Sequence, residues 1–194
     1  MPRTFLPTGP SKGIGLALST RLAAAGHHVI GMALSTPRDF PGTFVAVDLS
    51  DDATTRIALA DLVQRFDIDG LVTNVGLVRP ARLADVTLND LDQVLKVNLH
   101  PALTATQAIL PGMTARRWGR IVNVSSLTVL GMPERTAYAA AKAALISFTR
   151  GWALELASTG ITVNGVAPGP TETELFRANN PTGSDGEQRY LPTV

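Results

Sequence analysis

Residues 4–33 read TFLPTGPSKGIGLALSTRLAAAGHHVIGMA. A short apolar run at Thr4–Leu6 leads into a turn with three glycines, Gly9, Gly13 and Gly15. A helical pattern then runs from Ile14 to Ala25, and a second apolar run covers His28–Ala33. A strand, a glycine turn, a helix and another strand in this order predict a βαβ unit, whose two strands are parallel.

The same alternation continues along the chain. Helical periodicity covers residues 53–66, 88–110 and 137–157, and β-rich runs cover 70–73, 120–124 and 162–166. This predicts an α/β fold with a doubly wound parallel sheet, whose ligands bind beyond the carboxyl ends of the strands. We expect a single domain over residues 1–194, in which the segment 171–194, rich in turn residues, is a flexible loop region near the substrate.

Composition narrows the class of partner. The 194 residues carry a net charge of +1 and 45% hydrophobic residues, with no basic stripe for nucleic acid, no polybasic patch for a membrane surface and no long apolar span. There is no cysteine, and the three histidines are placed poorly for a shared metal. The N-terminus lacks the pattern of a secretory signal. We expect a cytoplasmic protein with a small-molecule partner and no metal.

The glycine turn is a candidate phosphate site. Its spacing is G-x-x-x-G-x-G, over Gly9-Pro10-Ser11-Lys12-Gly13-Ile14-Gly15, and it opens a helix. Glycines let the backbone approach a pyrophosphate, and the N-terminus of the helix favours negative charge. The alternative is a tight turn with no ligand. Pro7 and Pro10 are unusual in such a unit, because proline removes a backbone donor.

The end of the second strand bears on which nucleotide binds. An acidic residue there would bind a ribose hydroxyl and indicate NAD, but this strand ends in Leu34-Ser35-Thr36. Lys12, Ser35, Thr36 and Arg38 could instead meet the extra phosphate of NADP. The sequence therefore favours NADP(H) over NAD(H), with a merely solvated Lys12 as the alternative.

Tyr138 and Lys142 are four residues apart in a predicted helix, which places them on one face. A nearby ammonium favours the phenolate and so lowers the pKa of a tyrosine, which can then exchange protons near neutral pH. Ser126 follows a strand and precedes Tyr138 by twelve residues. Ser125 is the alternative serine at this position.

With these residues the chain resembles the short-chain dehydrogenase/reductase family. The resemblance covers residues 4–177 and is carried by TGPSKGIG, TNVG (73–76), Asn98, NVSS, YAAAK and APGP. It implies a Rossmann fold and a catalytic tetrad of Asn98, Ser126, Tyr138 and Lys142. In that tetrad Tyr138 gives the proton to a carbonyl oxygen that Ser126 orients. Lys142 binds the nicotinamide ribose, and Asn98 helps to hold a water that relays protons.

The resemblance also assigns positions along the cofactor. Thr73 departs from the asparagine that is usual in the family, and we expect only a local adjustment there. The positions expected to line the cofactor are Gly9, Ser11, Lys12, Gly13, Ile14, Gly15, Leu34, Ser35, Asp48, Leu49, Asn74, Gly76, Tyr138, Lys142, Pro168, Gly169, Thr171 and Thr173.

The resemblance further implies a homodimer or homotetramer, and a last helix and strand on the order of fifty residues beyond the point where this chain stops. We therefore expect the C-terminal strand and helix to be missing here. The leading functional hypothesis is an NADP-preferring reductase of a ketone or aldehyde. A 3-oxoacyl-carrier-protein reductase is a close alternative. The alternative from another class is a catalytically silent nucleotide-binding or oligomerisation module.

Overall fold

The protein is described by a computed structural model covering residues 1–188, and residues 189–194 lie outside the described part. Six strands form one sheet in which every recorded pair is parallel. Their order across the sheet is β3-β2-β1-β4-β5-β6. The bounds are β1 Thr4–Pro7, β2 His28–Ala33, β3 Thr43–Ala46, β4 Gly70–Thr73, β5 Gly119–Val124 and β6 Ile161–Val166.

Helices connect all consecutive strands except β2 and β3, which are joined by a loop, so the predicted doubly wound α/β fold is confirmed. The order reverses between β1 and β4, which is where such sheets bind dinucleotides. The helices are α1 Gly13–Ala24, α2 Asp52–Arg65, α3 Leu88–Ala115, α4 Thr136–Glu155, α5 Glu174–Asn179 and α6 Asp185–Gln188. Two short 3-10 turns cover Leu83–Asp85 and Leu127–Leu130.

The central strands carry the main core. Leu6, Ile30, Leu71 and Ile121, from four different strands, have no exposed surface and belong to one apolar cluster with side chains of the helices. Burial of this kind is the main stabilising contribution to the fold, at roughly 25 cal/mol for each Å² of apolar surface. It also fixes the strand ends, from which the functional side chains project.

Pro7 lies in β1, at the centre of the sheet, where a proline is unusual. The next residue, Thr8, donates its N–H to Val72 of β4 over 2.9 Å. Because neighbouring residues of a strand direct their N–H groups to opposite sides, the donor that Pro7 lacks would have pointed to β2. The β1–β2 ladder pairs Thr4 and Phe5 and resumes only as an isolated bridge at Thr8, so the proline lies at the break.

Two expectations differ from the structure in detail. The third helix was expected over 88–110 but continues to Ala115 through Pro111, because Met113 beyond the proline is fully buried and anchors the last turn. Within the segment 171–194, residues 174–179 and 185–188 are helical. Its flexibility remains a prediction, and residues 189–194 fall outside the described part. No helix within residues 1–188 is long and apolar enough to cross a membrane.

Candidate active site

The glycine turn packs tightly against the end of β4. Gly9 and Gly13 have φ of +66° and +55°, the left-handed region that favours glycine. A Cβ on Gly9 would lie 2.8 Å from the Cα of Val75, and one on Gly15 would lie 2.6 Å from Asn74 Nδ2. The three glycines are therefore required for packing, whether or not a ligand binds.

Thr8 and Asn74 lock this turn to β4. The buried hydroxyl of Thr8 accepts the N–H groups of Asn74 and Val75 over 3.0 and 3.2 Å. In return, Asn74 Nδ2 donates to the carbonyl oxygens of Thr8 and Gly9, each over 3.1 Å. The lock holds the glycine backbone beside the start of α1.

The N-terminus of α1 is open to an anion. Asp51, Thr87 and Thr173 cap α2, α3 and α5 with side-chain oxygens, but no side chain of residues 1–188 caps α1. Its first N–H groups and the positive end of its dipole are thus free of side-chain caps, as a phosphate site requires. A Cβ on Gly13 would lie 3.2 Å from Thr173 Cγ2, so the segment after β6 reaches this turn.

The positions expected to meet the adenine and its ribose are more exposed. Lys12, Leu34, Ser35 and Ser11 are not buried, and Leu34 is 73% exposed. The Ser50 hydroxyl and N–H donate to Asp48 Oδ1 over 2.7 and 2.9 Å and hold the pKa of Asp48 below its ordinary value. Leu49 is buried in the core cluster, so only its backbone is available to a nucleotide.

Lys142 is the largest fully buried polar side chain of the site. It is 2% exposed, and its Nζ donates to the carbonyl oxygen of Val124 over 2.9 Å. Burial penalises the charged form and lowers the pKa of Lys142 to about 8. The structure thus holds a buried ammonium at the carboxyl end of β5, and its proton is held less tightly than that of an exposed lysine.

Tyr138, Asn98 and Gly76 surround this ammonium. Lys142 Nζ lies 5.5 Å from the centre of the Tyr138 ring, and Tyr138 is half-buried. Asn98 donates Nδ2 to the carbonyl oxygens of Leu77 and Val94, while its buried Oδ1 accepts no hydrogen bond within the described residues. A Cβ on Gly76 would lie 3.1 Å from Asn98 Oδ1 and 3.5 Å from Lys142 Nζ. The structure therefore brings these four residues together.

The two serines after β5 have different environments. Ser125 is buried, and its hydroxyl donates to the carbonyl oxygen of Lys142 over 2.8 Å. Ser126 is half-buried, and its hydroxyl accepts the N–H of Thr128 over 3.2 Å. Among residues 1–188 the Ser126 hydroxyl donates no hydrogen bond, whereas that of Ser125 is used within the fold.

Thr73 takes part in hydrogen bonding between neighbouring elements. Its buried hydroxyl donates to Asn123 Oδ1 over 2.8 Å, and Asn123 Nδ2 donates to the hydroxyl of Thr149 over 2.9 Å. This series of hydrogen bonds links β4, β5 and α4.

The loop after β6 packs against Leu127, the residue after Ser126. The carbonyl oxygen of Pro168 accepts the N–H of Leu127 over 3.0 Å, and a Cβ on Gly169 would lie 3.3 Å from a Leu127 methyl group. Thr171 is exposed and donates its hydroxyl to the carbonyl oxygen of Gly169.

Sequence reasoning missed three contributors: Thr8, Val124 and Arg135. Thr8 could have been predicted, because a hydroxyl residue at the end of the first strand can bond the neighbouring strand. The role of Val124 could not, because every residue has a backbone carbonyl oxygen. Arg135, three residues before Tyr138, is only 7% exposed. Within residues 1–188, no group of acidic or histidine side chains could hold a metal ion.

The doubly wound parallel sheet, with a glycine turn at its switch point, defines an α/β fold of the dinucleotide-binding type. The family model for short chain dehydrogenase matches residues 3–183. The 3-oxoacyl-[acyl-carrier-protein] reductase of Vibrio cholerae is 36% identical over 188 residues, covering 92% of this chain and 77% of that protein.

Solved structures agree. A short-chain dehydrogenase from Streptomyces avermitilis superposes with a TM-score of 0.83 at 32% identity, covering 91% of this chain and 69% of that one. ElxO with NADP bound superposes with a TM-score of 0.84 at 27% identity, covering 92% and 78%. The chain belongs to the short-chain dehydrogenase family. It is an NAD(P)-dependent oxidoreductase that acts on CH–OH groups.

Proposed function

We propose that this protein reduces a ketone or aldehyde to an alcohol with NADPH, using Tyr138 as the proton donor. The observation that carries the proposal is the buried Lys142 ammonium, 5.5 Å from the Tyr138 ring. A buried charge without an acidic partner is expensive, and such groups concentrate at functional sites.

Each tetrad residue has a task in this reaction. NADPH, when bound, supplies the hydride that adds to the carbonyl carbon. Ser126 donates its hydroxyl to the carbonyl oxygen and fixes its direction, and Tyr138 gives that oxygen the proton that completes the alcohol. Lys142 stabilises the tyrosinate that remains.

Reprotonation of Tyr138 needs a route from solvent. Asn98 Oδ1, buried and unbonded within the described residues, is placed to accept from a water that also contacts Lys142. Both groups lie beside the position that a Cβ on Gly76 would occupy. Lys142, with a pKa of about 8, can take part in this transfer near neutral pH.

The residues of the glycine turn fit a dinucleotide. Gly9, Gly13 and Gly15 leave no side chain between the backbone and the pyrophosphate, and the uncapped N-terminus of α1 faces it. The absence of an acid at Leu34–Ser35 and the exposed Lys12 support NADPH over NADH. Asp48 would meet the adenine, Asn74 and Gly76 the nicotinamide ribose, and the Pro168–Thr173 loop the carboxamide and diphosphate. The active form would be a homodimer or homotetramer.

A second candidate has a specific observation in its favour. The Vibrio cholerae protein, 36% identical, is named a 3-oxoacyl-[acyl-carrier-protein] reductase. Its reaction is also reduction of a ketone, and the two candidates differ only in what carries the substrate. Activity confined to carrier-bound 3-oxoacyl groups would select this candidate.

The test follows NADPH consumption at its absorbance band with a panel of ketones and aldehydes, for the wild type and Tyr138→Phe. We expect turnover by the wild type, preference for NADPH over NADH and loss of activity in the variant. Tight cofactor binding with no turnover of any carbonyl would instead identify a silent nucleotide-binding module.

A further inference from the structure

Arg135 is a buried cation that the reaction above does not use. It immediately precedes α4 and is 7% exposed, yet no carboxylate within residues 1–188 lies within ion-pairing distance of it. Its guanidinium donates to the carbonyl oxygen of Glu134 over 3.2 Å and, more weakly, to Asn180 Oδ1 over 3.4 Å. Arginine stays protonated at any ordinary pH, so a full positive charge is buried here with neutral acceptors only.

The neighbouring acids are committed elsewhere. Glu134 Oε1 faces Arg82 Nε at 3.9 Å. Glu172 and Glu187 both bind Arg177. Nothing among these groups neutralises Arg135, although burying an unpaired charge normally costs several kcal/mol.

The surroundings of Arg135 can admit a small anion. The side chain lines a cavity of about 50 Å³ with Pro80, Met132, Asn180 and Glu134, the acid that faces Arg82, among its walls. The cavity has room for a group such as a carboxylate. The helix α4 begins here without a side-chain cap, so its first N–H groups add positive potential. Arg135 directly precedes α4, and Tyr138 is the third residue of that helix, so the two residues lie at the same end of α4.

We infer that Arg135 binds a carboxylate of the substrate, and that the protein prefers oxo acids to neutral carbonyl compounds. This inference rests on the proposed reduction at Tyr138. A substrate whose carbonyl lies at Tyr138 would place its carboxylate, a few bonds away, against the guanidinium. Arg135 is then a specificity-determining residue, and a planar bidentate pair is the geometry that arginine provides.

The test compares pyruvate, acetoacetate and levulinate with their methyl esters, because each pair differs in charge and shares the same carbonyl. We expect the wild type to favour at least one acid over its ester in kcat/KM. In Arg135→Gln that preference should fall about 30-fold, mainly through KM, because the partner charge is lost. Arg135→Lys should keep most of that preference, and Arg56→Gln, which changes an exposed arginine of α2, should leave it unchanged.

Two results would overturn the inference while leaving the reductase intact: equal losses for acid and ester in Arg135→Gln, or a wild type that favours no acid. The first would mean that Arg135 only supports the segment around Asn180. If no carbonyl is reduced, the proposed function fails. The binding of acid and ester to the NADP-loaded protein, measured by calorimetry, then tests the role of Arg135 by itself. Levulinate should then bind more tightly than methyl levulinate to the wild type but not to Arg135→Gln, and equal binding to the wild type would refute the inference.

Discussion

The ammonium of Lys142 donates a hydrogen bond to the carbonyl oxygen of Val124 over 2.9 Å while remaining 2% exposed. Burial lowers the pKa of Lys142 from 10.5 to about 8. One hydrogen bond therefore holds in place a charge that burial in the folded state disfavours.

Lys142 should make stability depend on pH in a defined window. Between pH about 8 and 10.5 the unfolded chain binds more protons than the folded one, so the free energy of unfolding should rise with pH. Below this window the full penalty, about 3 kcal/mol, is present. The stability advantage of Lys142→Met over the wild type should thus be largest near neutral pH and shrink toward the upper limit. Urea denaturation of the two cofactor-free proteins at several pH values measures this difference in unfolding free energy. A difference that does not change with pH would contradict a lowered pKa of the buried Lys142.

Gly76 should tolerate no side chain. In Gly76→Ala the new methyl group would lie 3.1 Å from Asn98 Oδ1 and 3.5 Å from Lys142 Nζ, and it would displace both groups slightly. We expect kcat/KM to fall about tenfold, because small misplacements of catalytic groups are costly. Gly151→Ala is the matched control. Gly151 is exposed in α4 with no atom within 4 Å of the new Cβ, so that change should stabilise the protein by about 0.5–1 kcal/mol and leave activity unaltered.

Thr8→Val should destabilise the fold more than its size suggests. The variant keeps the shape of the side chain but leaves the N–H groups of Asn74 and Val75 without their acceptor. Each unsatisfied buried donor costs roughly 1–3 kcal/mol, so the loss in unfolding free energy should be about 2–4 kcal/mol. Thr20→Val removes an exposed hydroxyl that bonds only the carbonyl oxygen of Leu16 and should change stability by less than about 0.5 kcal/mol. Similar losses of unfolding free energy in both variants would contradict the role of the Thr8 hydroxyl in holding the glycine turn to β4.

Much of the fold was accessible from sequence because its signals are local. Buried parallel strands are almost continuously apolar, as in Gly70–Thr73, and the glycine turn must contain glycine at positive φ. Tyr138 and Lys142 were also accessible, since four residues of helix bring them together. Arg135 and Thr8 were not, because their roles depend on contacts with residues 45 and 66 positions away, Asn180 and Asn74. Leu49 shows the converse, since only its tertiary environment reveals that it packs into the core.

The nucleotide preference can be tested at Ser35. An aspartate there would repel a 2′-phosphate and could accept hydrogen bonds from a ribose. In Ser35→Asp we expect kcat/KM for NADPH to fall about 100-fold, because placing like charges together costs several kcal/mol, while that for NADH is kept or rises. The nearby Arg38→Gln, which removes a positive charge instead, should weaken NADPH binding only. If Ser35→Asp changes kcat/KM equally for NADPH and NADH, the 2′-phosphate does not bind near Ser35.

The most direct test of the proposed reaction uses NADPH carrying deuterium on its transferable position. Mass spectrometry of the alcohol formed from a ketone that the protein accepts should show one deuterium on the former carbonyl carbon for the wild type. Tyr138→Phe, in the same assay, should form at most about a hundredth as much alcohol. Labelled alcohol formed equally fast by Tyr138→Phe would contradict the role of Tyr138 as proton donor, and alcohol without deuterium would contradict hydride transfer from the nicotinamide.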